Sequence, residues 1–122
     1  MSTELASTAG FVHTKLNPLI ECALRDGIHC KMAGDYNSAL TLFNQVLESE
    51  PSNVRALISK GNIYDLQGNY PNALNCYNLA IESDSGNAEA WFNKGVTLNK
   101  SGDIEEGMKH IQRGVSLAIG EI

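Results

Sequence analysis

Apolar residues recur along this chain on a helical stripe that repeats every 34 residues. They stand at positions 39, 40, 43, 46 and 47, and small or apolar residues return at 73, 74, 77, 80 and 81. A third set occupies positions 107, 108, 111, 114 and 115. Such spacing places each set on one face of an α-helix, because a helix turns once in about 3.6 residues. The pattern therefore predicts three amphipathic helices at a constant spacing.

A second predicted helix precedes each of these three and is separated from it by a short polar turn. Each turn has a glycine followed by aspartate or asparagine, at Gly34, Gly68 and Gly102. Glycine commonly ends a helix, and aspartate or asparagine commonly begins the next. Each unit is therefore predicted to be a helix-turn-helix hairpin. We place the three units at residues 20–53, 54–87 and 88–122.

An N-terminal extension, residues 1–19, precedes the first hairpin. Its apolar residues have near-helical spacing, and Asn17-Pro18 marks the start of a new helix. The extension is therefore predicted to be helical. The apolar residues concerned are Leu5, Ala9, Val12 and Leu16.

Composition narrows the class of protein. A chain of 122 residues fits one small domain, and its longest apolar runs are too short to cross a bilayer. The N-terminus lacks the basic and apolar regions of a secretory signal. A net charge of −5, with no block of lysine and arginine, opposes binding to nucleic acid. These features predict a cytoplasmic protein that binds neither nucleic acid nor membrane.

Cysteine and histidine usage gives no sign of a metal site. The three cysteines, Cys22, Cys30 and Cys76, are an odd number without a signal peptide, so we expect reduced thiols that act as small buried hydrophobes. The three histidines are scattered, and no short Cys or His spacing could supply the ligands of zinc. The sequence also lacks a phosphate-binding glycine loop and a readable nucleophile with its base. We therefore expect no enzyme activity, cofactor or metal.

The 34-residue, two-helix unit resembles the tetratricopeptide repeat. Trp91 stands at the family's aromatic position, Gly61 and Gly95 at its small position, and Tyr64 at its tyrosine. The resemblance covers residues 20–121 and implies an all-α fold: a right-handed superhelix, or α-solenoid, of three antiparallel hairpins. Some positions depart from the family pattern. Glycine replaces the usual alanine twice in the last helix, which predicts that this helix frays most easily.

The resemblance also implies a function: a scaffold for protein–protein interaction, with a partner peptide or helix in a concave groove lined by the first helix of each repeat. The lining would be a central apolar stripe with charged margins, and asparagine amides there can donate to and accept from a peptide backbone. The predicted groove residues are Leu24, Arg25, Ile28, Lys31, Arg55, Ile58, Ser59, Asn62, Asp65, Glu89, Phe92, Asn93, Val96 and Lys100.

Two other uses of these surfaces remain open. The groove could be filled by residues 4–16 of the same chain, which would make the protein a structural self-assembly unit, a homo-oligomer. The last helix also carries Met108, Ile111, Val115, Leu117 and Ile119, an apolar face that either another copy or a continuation of the chain beyond this sequence would cover. These residues predict a weak homodimer through the C-terminal helix.

One specialised ligand is not expected. Some three-repeat members of the family bind the C-terminal carboxylate of a heat-shock protein through lysine, asparagine and arginine side chains. The matching positions here are Leu24, Ile28, Ser59, Glu89 and Asn93, and none has the residue required. Glu89 would in addition repel a carboxylate.

Overall fold

The computed structural model describes residues 17–121, which form six α-helices joined by short turns. Successive helices pair as three hairpins, α1 with α2, α3 with α4 and α5 with α6, in the all-α repeat that the sequence predicted. Apart from residues 17–19, the N-terminal extension and its predicted helix lie outside the described residues. The helices are α1 Pro18–Met32, α2 Tyr36–Ser49, α3 Val54–Leu66, α4 Tyr70–Ser83, α5 Ala88–Lys100 and α6 Ile104–Ala118.

The turn inside each hairpin forms as the glycine pattern predicted. Gly34, Gly68 and Gly102 have φ angles of +81°, +77° and +101°, a left-handed conformation that costs glycine little. The next residue begins the following helix. In α2 the carboxylate of Asp35 accepts a hydrogen bond of 3.2 Å from the Ser38 amide.

Close contact within each hairpin depends on a glycine in its first helix. A Cβ atom on Gly27 would lie 2.7 Å from Cε1 of Phe43, and one on Gly61 would lie 2.6 Å from Cε1 of Tyr77. Both distances are too short for a real side chain. The aromatic rings of α2 and α4 therefore pack directly on the backbone of α1 and α3.

The helices form an inner and an outer layer. Besides the hairpin contacts, α1 touches α3 and α3 touches α5, whereas α2, α4 and α6 make no contact with one another. The stack is thus narrower on the side of α1, α3 and α5, and this side is concave. The core lies between the layers; its largest fully buried side chains are Tyr77, Phe43, Leu24, Ile63, Val46 and Thr97.

Two details differ from expectation. Cys76 is buried, as predicted, but Cys30 is only half-buried and Cys22 is exposed. The two glycines of α6 are both buried against α5: a Cβ atom on Gly114 would lie 2.8 Å from the Ala88 carbonyl oxygen. These glycines allow close helix packing, which works against the fraying that their low helix propensity predicts.

Within residues 17–121, no helix is both long enough and apolar enough to cross a membrane.

Candidate peptide-binding groove

Two adjoining clefts open on the concave side of the stack. The first has a volume of about 260 Å³, and the second has a volume of about 200 Å³. Lys31 and Asn62 belong to both, so the clefts form one continuous groove along α3. The first cleft is lined by Lys31, Asn62, Asp65, Leu66, Tyr77, Asn93, Val96 and Lys100. The second is lined by Ile28, Lys31, Arg55, Ile58, Ser59, Asn62 and Glu89.

Most of the predicted groove residues line these clefts, but three do not. Leu24 is fully buried in the core cluster that contains Phe43 and Ala56, so its assignment to the groove was wrong. Arg25 is exposed outside the clefts, where its guanidinium lies 3.5 Å from the Asp26 carboxylate. Phe92 lines a separate apolar cleft of about 350 Å³ between α5 and α6. For the other residues, contact with a ligand stays a prediction.

The floor of the groove holds a pair of asparagine amides in a fixed orientation. The Tyr77 hydroxyl donates to Oδ1 of Asn62 over 2.6 Å, and Nδ2 of Asn93 donates to the same oxygen over 3.1 Å. That oxygen therefore has both of its acceptor positions filled. Among the described residues, the Asn62 amide nitrogen and Oδ1 of Asn93 have no partner. One donor and one acceptor thus face the cleft side by side.

Tyr77, which was predicted only as part of the apolar stripe at positions 73 to 81, is also a groove residue. Its ring is core, but its hydroxyl reaches the first cleft. The equivalent residue one repeat earlier is Phe43, which has no hydroxyl. A buried tyrosine hydroxyl requires a hydrogen-bond partner, and the change from phenylalanine to tyrosine was the available signal.

The protonation state of Tyr77 supports this network. Burial, and to a lesser extent the negative charge of Asp65, raise the pKa of the phenol above its ordinary value. The hydroxyl therefore keeps its proton at neutral pH and acts as the donor to Asn62.

A second polar network crosses the groove from α3 to α5. The Asp65 carboxylate accepts hydrogen bonds from the Thr97 hydroxyl and from the Lys100 ammonium, the latter over 2.6 Å. Thr97 is fully buried, and its hydroxyl lies beside the Tyr77 hydroxyl as well as donating to Asp65. In the part of the chain that the structure describes, no three His, Cys, Asp or Glu side chains converge as metal ligands.

Solved structures of similar fold come from several kinds of protein. An O-GlcNAc transferase mutant of Thermobaculum terrenum is 27% identical with a TM-score of 0.78; the match covers 81% of this chain but 19% of the transferase. The Sgt2 TPR domain of Aspergillus fumigatus is 20% identical with a TM-score of 0.80, and the match covers 84% of this chain and 68% of that domain. The second TPR of Spaghetti (RPAP3), bound to the HSP90 peptide SRMEEVD, is 16% identical with a TM-score of 0.76. That match covers 82% of this chain and 93% of the Spaghetti chain. Comparison with functionally curated proteins gives no significant match.

Two family profiles match the second half of the chain. The profile described as TPR repeat matches residues 61–102, and the profile described as tetratricopeptide repeat matches residues 88–118. The hairpin of α1 and α2 has the same 34-residue spacing as the hairpins that they match, and its contact between Gly27 and Phe43 is equivalent to that between Gly61 and Tyr77 in the second hairpin. The chain therefore carries tetratricopeptide repeats over residues 61–118.

Proposed function

We propose that this chain is a non-catalytic module that binds an extended peptide segment of a partner protein in the concave groove. The observation that carries the proposal is the asparagine pair on the groove floor. A peptide backbone presents one N–H donor and one C=O acceptor per residue, and the pair offers the complementary acceptor on Asn93 and donor on Asn62.

The surroundings of the asparagine pair also suit a peptide. Ile28 and Val96 line the same clefts, are half-buried, and can contact apolar side chains on either side of the bound backbone. Main-chain hydrogen bonds combined with side-chain pockets are a general mode of recognition for extended peptides.

Peptide-display panning tests this proposal. We expect the wild-type protein to enrich peptides and the Asn62→Ala/Asn93→Ala variant to lose that enrichment. Asn78→Ala is the matched control, because Asn78 is exposed on α4 and lines neither cleft. Circular dichroism must show that all three proteins are folded. No enrichment on the folded wild type, or enrichment that the double variant retains, would contradict the proposal.

The alternative is a self-assembly unit whose groove is filled by its own residues 4–16, which lie outside the described residues. Deletion of residues 1–16 distinguishes the two. An open groove keeps or raises its affinity for a panned peptide after the deletion, and the protein stays folded. A self-filled groove loses apolar contacts, so the deletion lowers the free energy of unfolding.

We further propose that the protein acts in the cytoplasm, without nucleic acid, membrane, cofactor or metal as a partner. Its negative charge opposes phosphate backbones, and the polar side chains on the groove floor are held in amide and carboxylate networks. The match to the transferase covers 19% of that enzyme, so its activity does not transfer to this chain.

A weak homodimer through α6 is a second proposal for the same molecule. Four apolar side chains on the outer face of α6 are between 46% and 63% exposed. The residues equivalent to three of them in α4 are half-buried beside the next hairpin. A second copy could cover this face. The four residues are Ile104, Met108, Val115 and Ile119.

A further inference from the structure

Charged residues cross the groove in two rows, with one residue from each inner helix. The row near the helix N-termini has the signs minus, plus, minus, and the row near the C-termini has the signs plus, minus, plus. The first row is Glu21, Arg55 and Glu89, and the second is Lys31, Asp65 and Lys100.

In each row, two residues form an ion pair and the third has no ionic partner among the described residues. Arg55 lies 3.0 Å from Glu21, and Lys100 lies 2.6 Å from Asp65. Within residues 17–121, Glu89 and Lys31 take part in no ion pair. Both line the second cleft, so this cleft has an unpaired carboxylate at one end and an unpaired ammonium at the other.

Helix dipoles alone do not account for the two rows. The dipole favours acidic residues in a first turn and basic residues in a last turn. In α3 both charges are reversed, because Arg55 stands near its start and Asp65 near its end. The rows instead satisfy pairing between helices, and this pairing is incomplete at Glu89 and Lys31.

The distance between the rows suits a short stretch of peptide. In α3, Arg55 and Asp65 are ten residues apart, which corresponds to about 15 Å along the helix axis. An extended chain advances about 3.3 Å per residue. Lys31 and Glu89 are also separated across the groove, because they lie on α1 and α5 about two interhelix distances apart. Their long side chains reach into the same cleft, and about three to five residues of extended peptide span the gap that remains.

We propose that the groove selects an extended peptide that has one acidic and one basic side chain about three to five residues apart. The acidic side chain pairs with Lys31 and the basic one with Glu89, and the asparagine pair holds the backbone between them. This inference rests on the proposed function and specifies the chemistry of its partner. Opposite charges at both ends give specificity, because a peptide with the wrong sign at either end meets repulsion.

Single charge reversals provide the test, with a random peptide library as the probe. The wild type should enrich peptides with one acidic and one basic residue. Lys31→Glu leaves two unpaired carboxylates and should enrich peptides with two basic residues. Glu89→Lys should enrich peptides with two acidic residues. A peptide selected on the wild type should bind either variant at least about tenfold more weakly, with the difference shrinking as salt rises.

Glu48→Lys is the matched control, because Glu48 is exposed on α2 outside both clefts. It should leave the enriched motif unchanged. If wild-type enrichment depends on the asparagine pair but shows no charge pattern, this inference is overturned and the proposed function stands. If the wild type enriches nothing, or enrichment ignores both the asparagine and the charge variants, both are overturned.

Discussion

At the scale of single residues, burial decides how much each ion pair of the groove contributes to stability. The Asp65 side chain is 9% exposed and accepts a hydrogen bond from the buried Thr97 hydroxyl. The Glu21 side chain, in its ion pair with Arg55, is 42% exposed. Water competes for an exposed pair, but it does not reach the fully buried Thr97 side chain that donates to Asp65.

We therefore expect Asp65→Ala to lower the free energy of unfolding by about 1–3 kcal/mol, since it leaves a buried hydroxyl without its partner. Glu21→Ala is the control and should change it by less than about 1 kcal/mol. Urea unfolding followed by circular dichroism measures both. Equal losses in the two variants would show that Thr97 finds another partner.

The buried thiol of Cys76 makes stability depend on alkaline pH. Burial raises the pKa of this thiol above its usual value of 9.0. Well below pH 9 the thiol is protonated in both folded and unfolded chains, so the stability that comes from burying it is fully present. Above that pH the unfolded chain releases the proton first, which favours unfolding until the folded thiol also ionises.

The urea midpoint should therefore fall more steeply from pH 8 to pH 10 in wild type than in Cys76→Ala, with reductant present. Cys76→Ala should be less stable than wild type at every pH, but its urea midpoint should not show the part of the pH dependence that comes from the thiol. Cys22→Ala, at an exposed position, should keep the wild-type slope. Parallel curves for wild type and Cys76→Ala would contradict the assignment.

A single repeat position shows what the sequence could and could not predict. Leu24, Ile58 and Phe92 are equivalent, and all three were predicted to line the groove. Their exposed fractions are 0%, 4% and 42%. Each position is covered to the extent that a following hairpin packs beside it, so identical register gives different burial. The repeat pattern predicts which helix face points inward, but the neighbours along the stack determine which residues a ligand can reach.

At the scale of elements, the hairpin of α5 and α6 depends on backbone contact. A Cβ atom on Gly107 would lie 2.7 Å from the Gly95 carbonyl oxygen, and it would also overlap Oδ1 of Asn99. Helix propensity alone favours alanine over glycine by about 1 kcal/mol. The close contact with α5 instead disfavours alanine at position 107, because overpacking a tight interface costs about 1–3 kcal/mol.

We expect the contact to outweigh propensity, so that Gly107→Ala lowers the free energy of unfolding and speeds amide hydrogen exchange throughout α6. Gly86→Ala is the control, because the nearest atom to its added Cβ lies 3.8 Å away, in the flexible Asp84 side chain. Its stability should stay close to that of wild type. A more stable Gly107→Ala protein would mean that α5 and α6 can separate without loss.

The six helices and their turns were predictable because their signals are local. Glycine and the Asp or Asn cap recur at every hairpin, and the apolar stripe has the period of a helix. The polar networks of the groove were not predictable in the same way. Asn62 meets Asn93, and Asp65 meets Thr97, across residues more than 30 positions apart, so only the packing of α3 against α5 brings them together.

At the scale of the whole molecule, the two ends of the stack differ in chemistry. The outer face of α6 presents Met108 and Val115 to solvent. Ile63 of α3 is buried in a cluster with side chains of α2, whereas the equivalent residue of α1 is His29, which is exposed and polar, with the exposed Asp26 one turn away. Docking α1 of one copy on α6 of another would bury these polar groups, which is costly without partners. Self-association should therefore pair α6 with α6 in a closed dimer instead of extending the stack.

Sedimentation equilibrium tests this expectation across a concentration series into the high micromolar range. The wild type should associate weakly and stop at a dimer, because a face that pairs with its own copy leaves no free end. Met108→Glu should make the protein monomeric, since a dimer would bury two carboxylates beside the apolar face. Met32→Glu is the matched control: Met32 is also an exposed methionine but lies at the end of α1, so the dimer should persist. Assembly of the wild type into species larger than a dimer, if Met32→Glu prevents it, would instead indicate head-to-tail stacking. A strict monomer at every concentration would show that the α6 face has no role in self-association.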